Sequence, residues 1–569
     1  MNAYRRGNAM AEQARFTNLV GVGEDTFETL IRSGGYYVDK TLLVRDLLRN
    51  RSRVNLFNRP RRFGKTMNMS MLRSFLEIGA DKSLFQGLAI KNETTIWDKH
   101  MGQYPVISIS LKGIEAETFT EALSQIQNIV STECKRIGFL NESEKTDSDD
   151  KDNFALLKAE KASQSSLRNS LAILARMLRM HYGKRVVILI DEYDVPLNYA
   201  RNRYQDSMLI FMRGFLGDVF KTNEDVEFIV VTGCLRFAKE SIITGANNPV
   251  VDTVLDSGFS SYFGFTDQEV EHILTDFGLS RKKKLVGEWY DGYLFGRDRI
   301  YNPWDVMSYC LSILKDPETE PQSYWVNSSS NDIIRELIEK SKRTTKREIE
   351  ELMKGHSLRK KILRSISYDD FSNTDSLWSV LLMSGYLTCS KEKVQGIDVY
   401  NLMIPNMEVR EIYVSKITEW FRIECREEDF SILLDAFWKG NSKIIEESLV
   451  KRMIHTISYY DYKEDYYHGF LAGLLDAGSS YDVKSNDEMG LGRSDIAMID
   501  DQNDRCILIE IKHSDEKSDM ETDCKEALNQ IIKQQYAVDM LNMGFSVIPY
   551  GIAFFKKSCM VVTGDMLIK

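Results

Sequence analysis

The sequence predicts an α/β protein: a parallel sheet in the N-terminal half, a mainly helical middle region, and a smaller α/β unit at the C-terminal end. Three observations carry this. Short β-rich apolar runs alternate with helical patterns from the start to about residue 275. The helical period dominates from about 276 to 455, and alternating strands return between helices from about 456 onward. A chain of 569 residues exceeds what one hydrophobic core serves. The expected domains are therefore 18–275, 276–455 and 456–569.

The N-terminal strands are VNLF (54–57), VISISL (106–111), VVILID (186–191) and FIVVTG (228–233). They are mostly continuous apolar runs, as expected for strands covered on both faces, and helical segments such as SLRNSLAILARMLRMHYGK lie between them. The acidic stretch ESEKTDSDDKD (142–152) reads as a solvated insertion or mobile loop, not a metal site. The basic stretch SKRTTKREIEELMKGHSLRKK (341–361) reads as a solvated helix face, with a DNA-facing role as the minority alternative. The C-terminal unit is expected to run helix (462–476), strands SDIAMID and RCILIEIK, a long helix (521–543), then short strands SVIPY, GIAFF and CMVV.

Composition narrows the function classes. Lys and Arg number 74 and Asp and Glu 84, a net charge of −10, so any nucleic-acid contact must come from a local patch. The eight cysteines are scattered without a C-x-x-C pair, which argues against structural zinc and a disulfide framework and for a reducing cytoplasm. The stretch MNAYRRGNAMAEQARF lacks the apolar centre of a secretory signal, and no run approaches the ~20 apolar residues that span a bilayer. The expectation is a soluble cytoplasmic protein with no membrane contact.

The first candidate site is NRPRRFGKTMNMSML (58–72). Gly64-Lys65-Thr66 follows an apolar strand and precedes a helical pattern, the setting in which backbone N–H groups and a helix start surround phosphates. A lysine there adds charge, and a hydroxyl holds Mg²⁺. The spacing G-x-x-x-x-G-K-[ST] would put a glycine at position 59, but Arg59 and Pro60 stand there. Arg59, Arg61 and Arg62 instead give the loop a positive rim. Downstream, RVVILIDEYD ends a buried strand in Asp191-Glu192, placed to hold Mg²⁺ and to orient or deprotonate an attacking water. The bland reading has Asp191 capping a turn and Glu192 solvated. The next strand ends in Thr232-Gly233-Cys234-Leu235-Arg236, which makes Thr232 and Arg236 candidate γ-phosphate sensors. Against this, Gly233 alone explains a turn, and Arg236 alone an ion pair.

These segments, with YYVDKTLLVRDLL (36–48), VTGCLRFAKESI (231–242), YFGFT (262–266), WYDGYLFG (289–296), YNPWDV (301–306) and YWVNSSSN (324–331), resemble the AAA-ATPase-like family of the signal-transducing ATPase type, found in bacteria. The resemblance spans about residues 18 to 335. It implies a P-loop NTPase fold, ATP as ligand, Lys65 and Thr66 at the phosphates and Mg²⁺, and Asp191 and Glu192 in the Walker B role. An arginine-proline-arginine-arginine entrance is usual among these relatives.

The second candidate site is in GLGRSDIAMIDDQNDRCILIEIKH. Asp495 lies on the first strand of a probable-hairpin pattern, and Glu510 and Lys512, two apart on the second, share a face while Ile511 turns to the core. Two carboxylates and a lysine suit one or two Mg²⁺ or Mn²⁺ ions that activate water for attack on a phosphodiester, with Lys512 positioning that water or stabilising negative charge. The competing reading is Glu and Lys alternating on a wet strand face. With Glu464 upstream and Gln530 and Tyr536 on the following helix, the arrangement resembles the PD-(D/E)XK nuclease superfamily, which implies a restriction-endonuclease-like fold. By that motif Asp495, Glu510 and Lys512 form the catalytic trio, Glu464 is a further acid and Gln530 the helix glutamine. His468 reads as a hydrogen-bonded structural residue more readily than as a proton shuttle.

The combined expectation is an ATP-binding and ATP-hydrolysing protein coupled to a metal-dependent nuclease-like unit acting on nucleic acid, in defence or mobile-element biology by resemblance. Self-assembly is left open. The rival is a non-enzymatic regulator that uses ATP as a switch and its C-terminal unit only to hold nucleic acid or protein.

Overall fold

The computed structural model describes residues 21, 23–50, 52–221, 223–236, 249–325, 343–365, 374–394, 397–413, 430–456, 464–477, 481–489 and 492–568. Positions 1–20, 237–242 of VTGCLRFAKESI, 326–331 of YWVNSSSN and 490–491 of GLGRSD lie outside the described residues. The chain forms two compact units, one of residues 1–331 with 357–408, the other of 332–356 with 409–569.

The first unit is built on five parallel strands: β1 (Val54–Asn58), β2 (Val106–Ser110), β3 (Val186–Asp191), β4 (Val226–Gly233) and β5 (Val250–Asp252). Their order is β2-β3-β4-β1-β5, with every neighbouring pair parallel. The four strands expected from the sequence are all present, and β1 and β3 are buried along their whole length. Helix α1 (Lys65–Leu76) lays Met69, Leu72 and Phe75 against Phe57, Val187 and Val230 of the sheet. Burying an aliphatic or aromatic side chain of this kind stabilises by about 1.5–3 kcal/mol each.

The acidic stretch is more ordered than its composition suggests. Residues 148–152 open helix α2 (Ser148–Lys158), with Asp149 and Asp150 in its first turn and Phe154 and Leu157 in the core. Carboxylates at a helix start complement its dipole, and Asp150, 6% exposed, is further paired with Arg176. The solvated-loop expectation is therefore corrected for this part.

The described part of residues 276–455 is mainly helical, with helices such as Lys283–Tyr290, α3 (Pro303–Lys315), Thr374–Met383 and Ser442–Thr456. Short strands are interspersed. The pair β7 (Tyr293–Phe295) and β8 (Asp298–Tyr301) joins β6 (Phe265–Thr266), and β9 (Leu358–Lys360), β10 (Thr388–Val394) and β11 (Ile397–Met403) form a second small antiparallel sheet.

The second unit carries helix α4 (Glu464–Ala477) and a mixed sheet in the order β12 (Asp482–Met489), β13 (Gly492–Asp500), β14 (Arg505–His513), β15 (Ser546–Phe555), β16 (Ser558–Thr563). β14 and β15 are parallel and the other pairs antiparallel. Two expectations change. The long helix 521–543 is two, α5 (Met520–Lys533) and α6 (Ala537–Asn542), separated where Gln535 takes a left-handed φ of 58°. SVIPY and GIAFF are one strand, because Pro549 lies just before the β16 pairing begins at Tyr550 and needs no N–H there. Gly551 is demanded by α5: a Cβ would lie 2.1 Å from the carbonyl oxygen of Cys524. No described helix is long and apolar enough to cross a membrane.

Candidate functional site

The loop after β1 is tied to the sheet where the Arg59 N–H donates to the Gly233 carbonyl, 3.0 Å. It then turns through Arg62 and Gly64, at φ 70° and 80°, into α1 at Lys65. Gly64 takes this left-handed turn without strain. The first N–H groups of α1 have no intrahelical acceptor, which makes this end of the helix a natural anion site. Beside it opens a cavity of about 530 Å³ bordered by Arg61, Arg62, Gly64, Lys65, Thr66 and Glu192 on its polar side. Tyr36, Tyr37, Phe265 and Trp304 border it elsewhere.

Sheet order brings the second half of the site to the first. Because β4 lies between β1 and β3, Asp191 at the tip of β3 is within reach of α1. The Thr66 hydroxyl donates to Asp191 Oδ2 at 2.8 Å. Thr232, at the tip of β4, donates to the other carboxylate oxygen, and Ser110, at the tip of β2, to Oδ2 at 3.3 Å. Burial pushes the Asp191 carboxyl above its usual range, with Glu192 adding to the rise and these hydroxyls and Lys65 opposing it.

Lys65 is 3% exposed. Its ammonium donates to the carbonyls of Arg59 and Pro60 at 3.1 and 3.0 Å and to Cys234 Sγ at 3.4 Å, and lies 3.2 Å from Glu192 Oε1. Burial opposes the charge, but the surrounding Cys234, Glu192, Asp194 and Asp191 together raise its pKa. Glu192 occupies the left-handed region at φ 54°, a conformation costing a non-glycine residue of order 1 kcal/mol. Its Oε2 is buried with no hydrogen-bond partner among the described residues. That orphan oxygen, beside a lysine and a hydroxyl–aspartate pair, fits a bound polar ligand and its water.

Two expected residues belong neither to the cavity lining nor to the Thr66–Asp191–Thr232 hydrogen-bond set. Arg59, placed at the phosphates by the sequence reading, is fully buried: it pairs with Asp252, donates to the carbonyls of Asn58 and Asp252 at 2.9 and 3.0 Å, and lies between Phe263 and Phe295. Its charge is used inside the fold, so it cannot line the loop's open side. Arg236, just beyond β4, has a buried Nε without a partner among the described residues and does not border the cavity. Sequence reasoning missed Ser110 and Asp194. Ser110 was legible by the strand-tip logic that found Thr232. Asp194 accepts from the N–H groups of Cys234 and Leu235, at 3.1 and 2.8 Å, and holds the β4 exit loop.

In the second unit, Ile496 opposes Ile509, which sets Asp495 beside Glu510 across the β13–β14 pair. The Ile511 N–H donates to Asp495 Oδ2 at 2.7 Å, and Gln530 of α5 donates to Glu510 Oε1. Ile511 is fully buried, so Glu510 and Lys512 share the opposite face. Glu510 is only 2% exposed. Tyr536 lies against this cluster: burial raises its phenol, and the Glu510 and Asp495 carboxylates raise it further. His468 Nε2 donates to the Asp495 backbone carbonyl at 2.8 Å, so it holds the strand that presents Asp495. Glu464 begins α4; its side chain lies outside the described residues. The two hard carboxylate donors fit a divalent cation bound through oxygen. Among the described residues no group of three or more His, Cys, Asp or Glu forms a ready metal cluster.

A parallel sheet whose strand-end loop threonine meets a buried aspartate, followed in the same chain by a mixed sheet bearing D…E-x-K, defines an ATPase-like unit and a nuclease-like one. Comparison with known proteins agrees: residues 21–243 match the predicted AAA-ATPase family and residues 462–564 the PD-(D/E)XK nuclease superfamily. The chain thus carries an AAA-ATPase-like segment and, C-terminal to it, a PD-(D/E)XK superfamily segment. It is similar to an uncharacterized protein in the vnfD 5′ region of Azotobacter chroococcum mcd 1, 26% identical over 396 residues, 68% of each chain. Among solved structures, the Aeropyrum pernix ORC2 protein, in ADPNP and ADP complexes, overlaps 67% of this chain and 93% of its own at 12% identity and a TM-score of 0.28.

Proposed function

We propose that the first unit binds ATP with Mg²⁺ and hydrolyses it, and that this governs metal-dependent cleavage of nucleic-acid phosphodiesters by the second. The observation that carries the reading is the 2.8 Å hydrogen bond from Thr66 to Asp191, 125 residues apart in sequence. It joins the two halves of a phosphate-and-metal site found separately in the sequence. Thr66 and Asp191 would hold Mg²⁺, which supplies charge neutralisation at the phosphate oxygens. Lys65 exchanges Glu192 for phosphate oxygens, and Glu192, so released, orients the attacking water and accepts its proton. Thr232, from the neighbouring strand tip, fixes Asp191. Arg62 borders the phosphate end of the cavity, and Arg236 stands beyond the end of β4.

At the second site Asp495 and Glu510 would hold Mg²⁺ or Mn²⁺, which supplies an activated water and a clamp on the phosphate. Lys512 orients that water or stabilises the growing negative charge. Gln530 holds Glu510 in place, and Glu464 is a further acid of the site. The working division is a phosphate module of 18–275, a middle region of 276–455 that contributes to both compact units, and a C-terminal module of 456–569. A cytoplasmic setting is supported by the seven described cysteines, all free thiols. A role in defence or mobile-element biology belongs to the same reading, and so does nucleic acid as partner.

The test has two arms. Wild type should bind and hydrolyse ATP with Mg²⁺ while Lys65→Ala does neither. It should also cut plasmid or single-stranded substrates with Mg²⁺ or Mn²⁺ while Lys512→Ala does not. Identical products from wild type and Lys512→Ala would leave a non-enzymatic, ATP-switched regulator as the better account.

A further inference from the structure

Three arginines stand at the phosphate loop, and their surroundings differ. Arg59 is buried against Asp252. Arg62 lies 4.0 Å above the Trp304 ring, a cation–π contact that holds its guanidinium flat. Arg61 borders the cavity beside Lys65, Thr66 and Glu192. No hydrogen bond or ion pair of Arg61 occurs among the described residues, and the charged groups facing it are Glu192 and Asp194. Lys65 is pinned by the loop carbonyls of Arg59 and Pro60, so its ammonium stays at the base of the loop. Arg61 thus borders the same cavity as Glu192 and its orphan oxygen without a hydrogen bond or ion pair among the described residues.

We propose that Arg61 is a catalytic residue of ATP hydrolysis, contacting the γ-phosphoryl group as it is transferred. The inference rests on the ATPase reading above. In the step, the water oxygen forms a bond to the γ-phosphorus, and the bond from that phosphorus to the β–γ bridging oxygen breaks. ADP departs with the electron pair, and the water proton passes to Glu192. Negative charge grows on the bridging and equatorial oxygens, where a planar guanidinium with five donors is better matched than an ammonium. Many phosphate-loop enzymes take such an arginine from a partner protein or a distant segment. Here it lies four residues before the loop lysine in the same chain.

The experiment uses the full chain with Mg²⁺ and compares wild type, Arg61→Ala and Arg61→Lys. It reads kcat, equilibrium ATP affinity, melting temperature, and trapping of ADP by aluminium fluoride, which mimics the transferring phosphoryl group. Arg61→Ala should lose roughly 10³-fold in kcat, fail to trap ADP with aluminium fluoride, and bind ATP within a few-fold of wild type. Arg61→Lys keeps the charge without the fork and should remain at least roughly tenfold slow. It carries the test if the alanine variant melts early. Turnover by either variant at the wild-type rate overturns the proposal. So does a loss confined to ATP affinity with kcat unchanged, or a wild type that binds ATP without hydrolysing it. A wild type that does not bind ATP removes the ATPase reading itself, and this inference with it.

Discussion

In the first unit a threonine and an aspartate from positions 66 and 191 meet across the end of a parallel sheet, with strand order doing the joining. In the second, Asp495, Glu510 and Lys512 come from two neighbouring strands, and pairing register does the joining. The electrostatics differ in the same sense. The first site holds a buried cation already paired with Glu192 at 3.2 Å, so under the proposed function an incoming phosphate replaces an existing partner. The second holds acids that accept from neutral amides, the Ile511 N–H and Gln530. Under the proposed function the first site exchanges an anion and the second holds a cation, so the two take different ligands.

The largest effects should separate the two sites. Glu510→Gln keeps the shape and a hydrogen-bonding side chain but removes a ligand charge. Cleavage should fall by at least roughly 10³-fold while ATP turnover measured without nucleic acid stays within a few-fold of wild type. Lys65→Ala should do the reverse to ATP turnover, by roughly 10²–10³-fold, and leave cleavage by any ATP-independent route intact. Loss of both activities in Glu510→Gln would mean that the sites do not work as separate centres.

The next effect is on stability and concerns the arginine that the phosphate loop does not use. Arg59→Ala strands Asp252, 6% exposed, without its cation. Breaking a buried pair from one side costs about 3 kcal/mol or more. The midpoint of the first unit's unfolding should drop by several degrees, whereas an arginine serving only phosphate binding would leave the melt unchanged. Asp252→Asn made together with Arg59→Met removes both charges and should recover much of the loss.

These contrasts show what the sequence could and could not reveal. The central strands were legible because β1 to β4 are runs of apolar residues and burial demands that pattern whatever the neighbours. Lys65, Thr66, Asp191 and Glu192 were legible because strand ends place polar groups where phosphate chemistry needs them. The partner of Arg59 was not, because Asp252 and the two phenylalanines lie roughly 190 residues and more away and carry no local signature. The edge strand DVKSNDEM (482–489) has no apolar rhythm, and β13 is its one strand neighbour among the described residues. The break between α5 and α6 falls at Gln534-Gln535-Tyr536, with no glycine or proline to announce it. There the chain turns where Tyr536 joins the apolar cluster of Ala497, Cys506 and Leu508, a tertiary cause.

The smallest expected effect is a pH dependence peculiar to the first unit. Asp194 is buried against Glu192, and its carboxyl is pushed up to about 6, burial being the largest cause and Glu192 next, with the Leu235 N–H, Lys65 and the Cys234 N–H opposing. The folded form therefore holds this proton more tightly than the unfolded chain, whose aspartates titrate near 4. The sign follows: the stabilisation is complete below about pH 4 and is lost as pH rises through about 6, an effect of order 2 kcal/mol. Asp194→Asn cannot ionise, so this contribution should vanish. Melting temperatures of wild type and Asp194→Asn, measured without nucleotide between about pH 4 and 7, should converge as pH rises if the variant starts lower for want of one acceptor. A constant difference across that range would mean that Asp194 is ionised in the fold throughout. Lys65 would then face two carboxylates at once, and its balance with Glu192 would be looser than the cation-exchange picture requires.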